Sequence, residues 1–575
     1  MGNVAANTKT GETLTNYLNR RSSALLANRQ PSDARWKIIS DVILPFATRF
    51  FTTDKNRTGA RRNTSVINTT ATSAVGTGSA GMMSGITSPS RPWFKLQTPN
   101  TELNKAKPVR VWLDQVRNLM SELFIKSNLY TTLPLVYDDL LAFGTSAFAE
   151  MEDMSGDDDS DVIRFYHFPV GSYVLSVSHR GSVDGCFRNF RMTVAQLEHQ
   201  FGLENCSTVV QEAYRTGRYD QEIDVVHAVE RNPDADEAKL ESRYLPYRSV
   251  FYEKSGNPGS YLEMKGYHEM CIMAPRWKVN GEDTYGTSPG MVVLGDVLQL
   301  QQMEKRKLQM LDMLLDPPRN ASASLRNEYI GRLSGEITFV PDNAMAAKSE
   351  PNYIINPPLQ YLSAEIEKVE QRIKHGLFED LFLMITGIDR GNVTATEIQA
   401  RQQEKMMALG PVLERLNDEM LDPIIRRTYS IMERNGLIPI PPPEVQNQEL
   451  VVEYISIMAQ AQKLNGVVGI ERVVGFVGGL SAQNPESLDR LDFDETIDAY
   501  ADMVGVPPNI IKDKTQVAPI RAQRAQAQRT QQALQMAQQG ADAAKTMADT
   551  QVTTPSMLQA LSGALQQAGP QAGAA

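Results

Sequence analysis

The stretch SPGMVVLGDVLQLQQMEKRKLQMLDMLLDPP, Ser288 to Pro318, decides the fold. Ser288 followed by Pro289 suits an N-cap and first helical residue, since proline has no N–H to lose in the first turn. Val297, Leu300, Leu308, Leu311 and Leu315 recur at helical spacing until Asp316-Pro317-Pro318 stops the run. The other face carries Gln302, Lys305, Arg306, Gln309 and Asp312, so the pattern predicts a helix over 289–316 with one apolar and one polar side. A Gly/Pro/Asn-rich insert runs to Pro358 and contains the strand-like GEITFVPD (335–342). A second helix is expected over 361–385, striped by Ile366, Val369, Ile373, Leu377 and Leu381.

Downstream, Thr386-Gly387 and Arg390-Gly391 break the helical pattern, and Thr394 with Glu397 makes a capping box. The helix it opens is expected to reach Asn435-Gly436, with a kink near Gly410-Pro411 and Pro423 also inside it. Residues 449–457 read as a strand and a mostly helical region follows to Lys514. Residues 516–575 hold 16 Ala and 14 Gln, which favours helix, expected over 519–550, but offers little to bury.

Upstream, residues 12–52 read as two helices joined at Gln30-Pro31, 53–92 as a flexible glycine-rich connection, and 108–150 as a second helical region. Strand patterns fill 162–273: IRFYHFP, SYVLSVS, DGCFRNFRM, IDVVHAVER, SVFYEK and YHEMCIMA. One helix interrupts them, capped by Thr193 with Gln196 and closed by Gly202. The fold class is α+β.

The 575 residues exceed what one core serves, so several subdomains are expected. Cys186, Cys206 and Cys271 are scattered and odd in number, which fits a reducing compartment, and no stretch is apolar enough to span a membrane. A soluble intracellular product is expected. Net charge is -10, which argues against tight non-specific DNA binding but permits a duplex to be held loosely in a lumen.

Apparent catalytic motifs fail on chemistry. Gly76 to Gly81 spells G-x-G-x-x-G, but Pro89 and Pro92 leave no room for the crossover helix. Gly286-Thr287-Ser288-Pro289-Gly290 spells G-x-S-x-G, yet the residue after such a serine must donate its N–H to the oxyanion hole and Pro289 has none. No Gly-Lys pair exists, so the phosphate-binding P-loop is absent. His167, His179, His199, His227, His268 and His375 make no ligand spacing, and Asp157, Asp158, Asp159 and Asp161 read as a solvated loop. No catalysis, metal or cofactor is expected.

Several segments in order carry a resemblance: Arg35-Trp36 to Pro45, GMMSGITSPSRPWFKL (81–96), DLLAFGTSAF (139–148), FPVGSYVLSVSHRGSVDGCFRNFRMTVAQLEHQFG (168–202), HAVERNP (227–233), PRWKVNGEDTYGTSP (275–289) and NVTATEIQARQQEKMMALGPVLERL (392–416). Over roughly residues 14–515 the chain resembles the head-to-tail connector (portal) protein family of short-tailed, podovirus-type bacteriophages. The resemblance implies a ring, usually a dodecamer, at the portal vertex of the virion, assembled in the host cytoplasm, through which double-stranded DNA is packaged and ejected without sequence reading. Implied partners are the terminase large subunit that drives packaging, the major capsid protein, the scaffolding protein, a tail adaptor protein and internal core or ejection proteins. No membrane partner is expected.

It also implies a map: N-terminal helices and wing over 1–288, stem 289–316, clip 317–360, second stem helix 361–385, tunnel loop 386–393, a kinked wing helix 394–436, return strand and crown 437–514, and a tail 515–575 whose helix would join the crown barrel. In the tunnel loop, Thr386, Gly387, Asp389, Arg390, Gly391 and Asn392 are candidates to line the channel: the glycines permit the turn, and Asp389 offsets the charge with which Arg390 approaches phosphate. Two other readings are a DNA-processing enzyme, which would need a clustered carboxylate or histidine site, and a helical-barrel channel or virion structural protein that does not translocate DNA.

Overall fold

The computed structural model describes residues 12–45, 66–100, 103–104, 106–152, 162–236, 238–239, 241–256, 259–315, 319–320, 350–351, 359–380, 410–445, 451–454, 457–481, 486, 489, 491–504, 512 and 514–549. The chain divides into two compact units, Met1–Gln462 and Lys463–Ala575.

The N-terminal region is one helix, α1 (Leu14–Val42), rather than two. Pro31 lies inside it, and the one backbone hydrogen bond that the proline removes is offset by tertiary ties on either side. Buried Arg29 donates to the Tyr173 carbonyl and pairs with Asp33 at 2.8 Å. One turn on, Trp36 Nε1 donates to the Phe143 carbonyl at 3.0 Å, and its ring meets Tyr285 edge-on at 5.2 Å.

The glycine-rich connection is also a helix over 70–86, α2 (Thr70–Ile86), which corrects the flexible reading of Gly76 to Gly81. Its small residues let it lie close on a neighbour: Ala74, Val75, Gly78, Ser79 and Gly81 are buried, and Ser79 Oγ donates to the Pro134 carbonyl at 2.9 Å. Strand β1 (Phe94–Gln97) follows, then α3 (Lys107–Lys126) and α4 (Leu129–Phe143). The expected helix to 150 stops at Gly144, whose φ of 77° reverses the chain, and β2 (Ala147–Glu152) begins.

The remaining strands are β3 (Ile163–Phe168), β4 (Tyr173–Val177), β5 (Val183–Thr193), β6 (Glu222–Arg231), β7 (Tyr247–Glu253), β8 (Glu263–Tyr267) and β9 (Ile272–Met273). β4 to β8 form an antiparallel five-stranded meander, and β3-β2-β9 a three-stranded sheet. The two-residue period sorts the meander's faces. Val226, Ala228, Val250 and Tyr252 pack under Leu14 and Leu18 of α1, while Val225 and Phe251 face the other way. There they meet α5 (Val194–Phe201), which carries the expected Thr193/Gln196 capping box, and a further helix, α6 (Thr208–Arg215).

Helix α7 (Pro289–Leu315) leads to a two-residue ribbon, β10 (Arg319–Asn320) paired with β11 (Glu350–Pro351), and α8 (Leu359–Gly376) returns. GEITFVPD lies outside the described residues. Helical residues resume at 410 and run through a π-turn, Asn417–Leu421, into α9 (Asp422–Arg434). The irregularity in this described part is therefore the π-turn before Pro423, where a missing proline N–H is accommodated by a wider turn. The capping pair Thr394 and Glu397 lies outside the described residues. β12 (Val451–Tyr454) pairs antiparallel with β1, placing Phe94 opposite Tyr454. The helices α10 (Ile457–Ser481), α11 (Phe493–Val504) and α12 (Lys514–Asp549) complete the chain.

Candidate channel-forming site

The paired helices α7 and α8 are rooted by Ser288. Its buried hydroxyl accepts from the Met291 N–H at 2.9 Å and donates to the Ala142 carbonyl at 2.7 Å, so it is a helix cap held on the end of α4. The approach is close: a Cβ on Gly290 would lie 2.7 Å from the Ala142 oxygen. Val293, Val297 and Leu300 of α7 share one core with Ile366, Val369, Ile373 and Leu377 around α8, while Leu381 lies outside the described residues.

A polar clamp sequence reading did not find joins this pair to α2. Gln301 Oε1 accepts from the N–H groups of Ile67 and Asn68 at 2.8 and 3.0 Å, and its Nε2 donates to the Asn68 carbonyl at 2.6 Å. The Asn68 side chain then donates to Glu370 on α8 at 2.7 Å and accepts from the Thr70 N–H.

Gln302, Lys305, Arg306, Gln309 and Asp312 are all exposed, as their spacing predicted. Leu308 and Leu311 are exposed too, against the expectation that they bury; among the described residues the buried apolar side chains of α7 are Val293, Val297 and Leu300, near its start. Charge on the pair is balanced: Asp296, Glu304 and Asp312 stand against Lys305, Arg306 and Lys307 on α7, and Glu365, Glu367 and Glu370 against Lys368, Arg372 and Lys374 on α8.

Thr386, Gly387, Asp389, Arg390, Gly391 and Asn392 lie outside the described residues. The chain leading to them is not the continuous helix expected over 361–385. It turns at Leu377-Phe378, and Phe378 takes φ 61°, rare for a side chain with a Cβ. Its ring lies 6.0 Å from Trp277, and its N–H bonds the His375 carbonyl at 3.1 Å. Beyond the loop, Glu419 in the π-turn is gripped by Arg276: Nη2 at 2.6 Å, Nε at 3.2 Å and the backbone N–H at 2.9 Å. Arg276 Nη2 also donates to the Gly181 carbonyl at 2.6 Å, and Arg415 adds a bond to Glu419 at 3.0 Å.

Buried ionisable groups elsewhere are fastened into structure. Asp139 meets His167 Nε2 at 2.7 Å and accepts from Ser146, and burial raises its pKa. His227 stacks on Phe251 at 3.9 Å and meets Ser249 Oγ at 2.8 Å; burial lowers it to about 3. Glu230 pairs with buried Arg248 and with Arg21. The three cysteines are buried free thiols, with Cys271 raised to about 11 by burial. Among the described residues, no group of three His, Cys, Asp or Glu is placed to hold a metal ion, and no helix is long and apolar enough to cross a membrane. Asp157, Asp158, Asp159 and Asp161 lie outside the described residues.

Residues 15–511 match the family model described as bacteriophage head to tail connecting protein. The chain belongs to that family. Among this connector's relatives, the "Portal protein" of Salmonella phage epsilon15 is 44% identical over 554 residues, covering 96% of this chain and 99% of the relative. The "Probable portal protein" of Bordetella phage BPP-1 is 38% identical, covering 91% and 93%. A solved structure titled "Neck of empty GTA particle computed with C6 symmetry" aligns with 77% of the connector and 91% of its own chain at TM-score 0.35 and 10% identity.

Proposed function

We infer that this connector acts as a portal subunit, forming with copies of itself the ring-shaped channel through which double-stranded DNA enters and leaves a phage capsid. The observation that carries this is the 44% identity, spread over 96% of the chain, to a phage portal protein. The structure supplies supporting chemistry. A helix pair with exposed polar faces and balanced charge offers DNA little net attraction, which suits a wall the duplex must slide past. The apolar side chains left uncovered on α7, Leu298, Leu308 and Leu311, suit head-to-tail contact with a neighbouring copy.

In this reading α7 and α8 are the stem, the segment bridged by β10 and β11 is the clip, and 386–393 is the tunnel loop. The ring is read as a dodecamer; its docking partners are the terminase large subunit, major capsid protein, scaffolding protein, tail adaptor and internal core proteins. The chain works without catalysis. Arg390→Ala is expected to leave ring assembly intact and to alter packaging or retention of DNA, scored by packaged genome per particle. Unchanged packaging and retention would reduce the loop to a connector between helices.

A further inference from the structure

We propose that the groove between α10 and α11 in the unit Lys463–Ala575 receives helix α12 of a second copy of this chain, around Leu534. The groove has a volume of about 640 Å3 and is lined by Ile470, Val474, Gly475, Ile497, Tyr500 and Ala501. The two helices are tied to each other at the groove, where the Tyr500 hydroxyl donates to Glu471 at 3.0 Å. Ile497 in its lining is exposed, and the same two helices leave further apolar side chains uncovered: Phe476 is 70% exposed, and Val473, Leu480 and Phe493 are exposed as well. Among the described residues of this unit, only Val467 and Ala501 are buried apolar side chains. Apolar side chains exposed in this way on the described residues call for a partner to cover them.

The same unit carries the matching surface. From Arg521 to Asp542 every residue of α12 is exposed, and Leu534 is 58% exposed. A helix uncovered over that length, about 32 Å at 1.5 Å per residue, is marginal alone. Charge selects the two surfaces for each other. Helix α11 presents Asp494, Glu495 and Asp498, whereas α12 carries Arg521, Arg524 and Arg529. Within one chain, Arg521 already pairs with Asp494 at 2.5 Å. Among the described residues Arg524 and Arg529 make no such pair, and none from Arg521 to Asp542 lines the groove of its own chain. Copies related by a rotation can satisfy both surfaces at once, each giving its helix to the next. The inference rests on the ring reading above.

The test is a disulfide across the contact in the full chain, with Val474→Cys and Leu534→Cys combined and each alone as control, oxidised by copper phenanthroline. The expected result is a ladder of covalent oligomers on a non-reducing gel for the double variant alone. Wild-type rings with no ladder from the double variant overturn the pairing and leave the ring. Absence of rings from the wild type overturns both. A ladder seen only after the chain is shortened to Asp549 assigns the groove to residues 550–575 and overturns the proposal. As a second measurement, Leu534→Asp lies at an exposed position and is expected to lower the temperature at which rings dissociate; an unchanged temperature counts against the contact.

Discussion

Glu150 lies fully buried beneath α9, where Thr428 Oγ1 donates to its carboxyl at 2.7 Å and Arg427 Nε donates to its carbonyl at 3.0 Å. Burial raises its pKa to about 8 from an ordinary 4.5, despite Arg427 nearby. The folded carboxyl therefore keeps a proton that the unfolded one releases, so its stabilisation is complete below the ordinary value and is lost as pH rises through about 8. Wild-type protein is expected to melt at lower temperature at pH 9 than at pH 6, and Glu150→Gln to remove most of that difference. An unchanged pH slope in the variant would refute the assignment. Gly290 gives a second residue-scale expectation. Gly290→Ala forces a methyl to within 2.7 Å of the Ala142 carbonyl and should cost about 1–3 kcal/mol, read as a lower denaturation midpoint.

Among elements, the pair α7 and α8 shows where sequence and structure agree. The Ser288 cap and the stripe from Ile366 to Leu377 were legible because caps and helical periodicity are local signals. The Thr193/Gln196 box was legible for the same reason. Helix α2 was not, because Thr, Ser and Gly are weak helix formers and only burial against α4 and α8 makes them one. Pro31 misled for the converse reason: Arg29 and Trp36 find partners more than a hundred residues away that keep α1 whole. The Arg276–Glu419 grip spans 143 positions and left no local trace, nor did the turn at Phe378. The six channel candidates were read from two glycines and an Arg-Asp pair plus resemblance, and they lie outside the described residues. The Gln301 clamp was equally invisible, yet it yields an element-scale test. Gln301→Ala leaves the Ile67 and Asn68 N–H groups without their acceptor and should cost about 1–3 kcal/mol, with faster hydrogen exchange confined to residues near 67–70. Protection unchanged there would show that the clamp does not hold α2 to α7 and α8.

At the scale of the molecule, apolar side chains uncovered on both units favour association over a lone chain. Membership of the connector family over residues 15–511 gives that assembly its role at the junction of head and tail. The measurement that bears most directly on this is imaging of the purified full-length protein by negative-stain electron microscopy, with the mass of the same sample. Closed rings with a central hole and a mass that is a whole multiple of 63.9 kDa are expected. A stable monomer under all assembly conditions would contradict this.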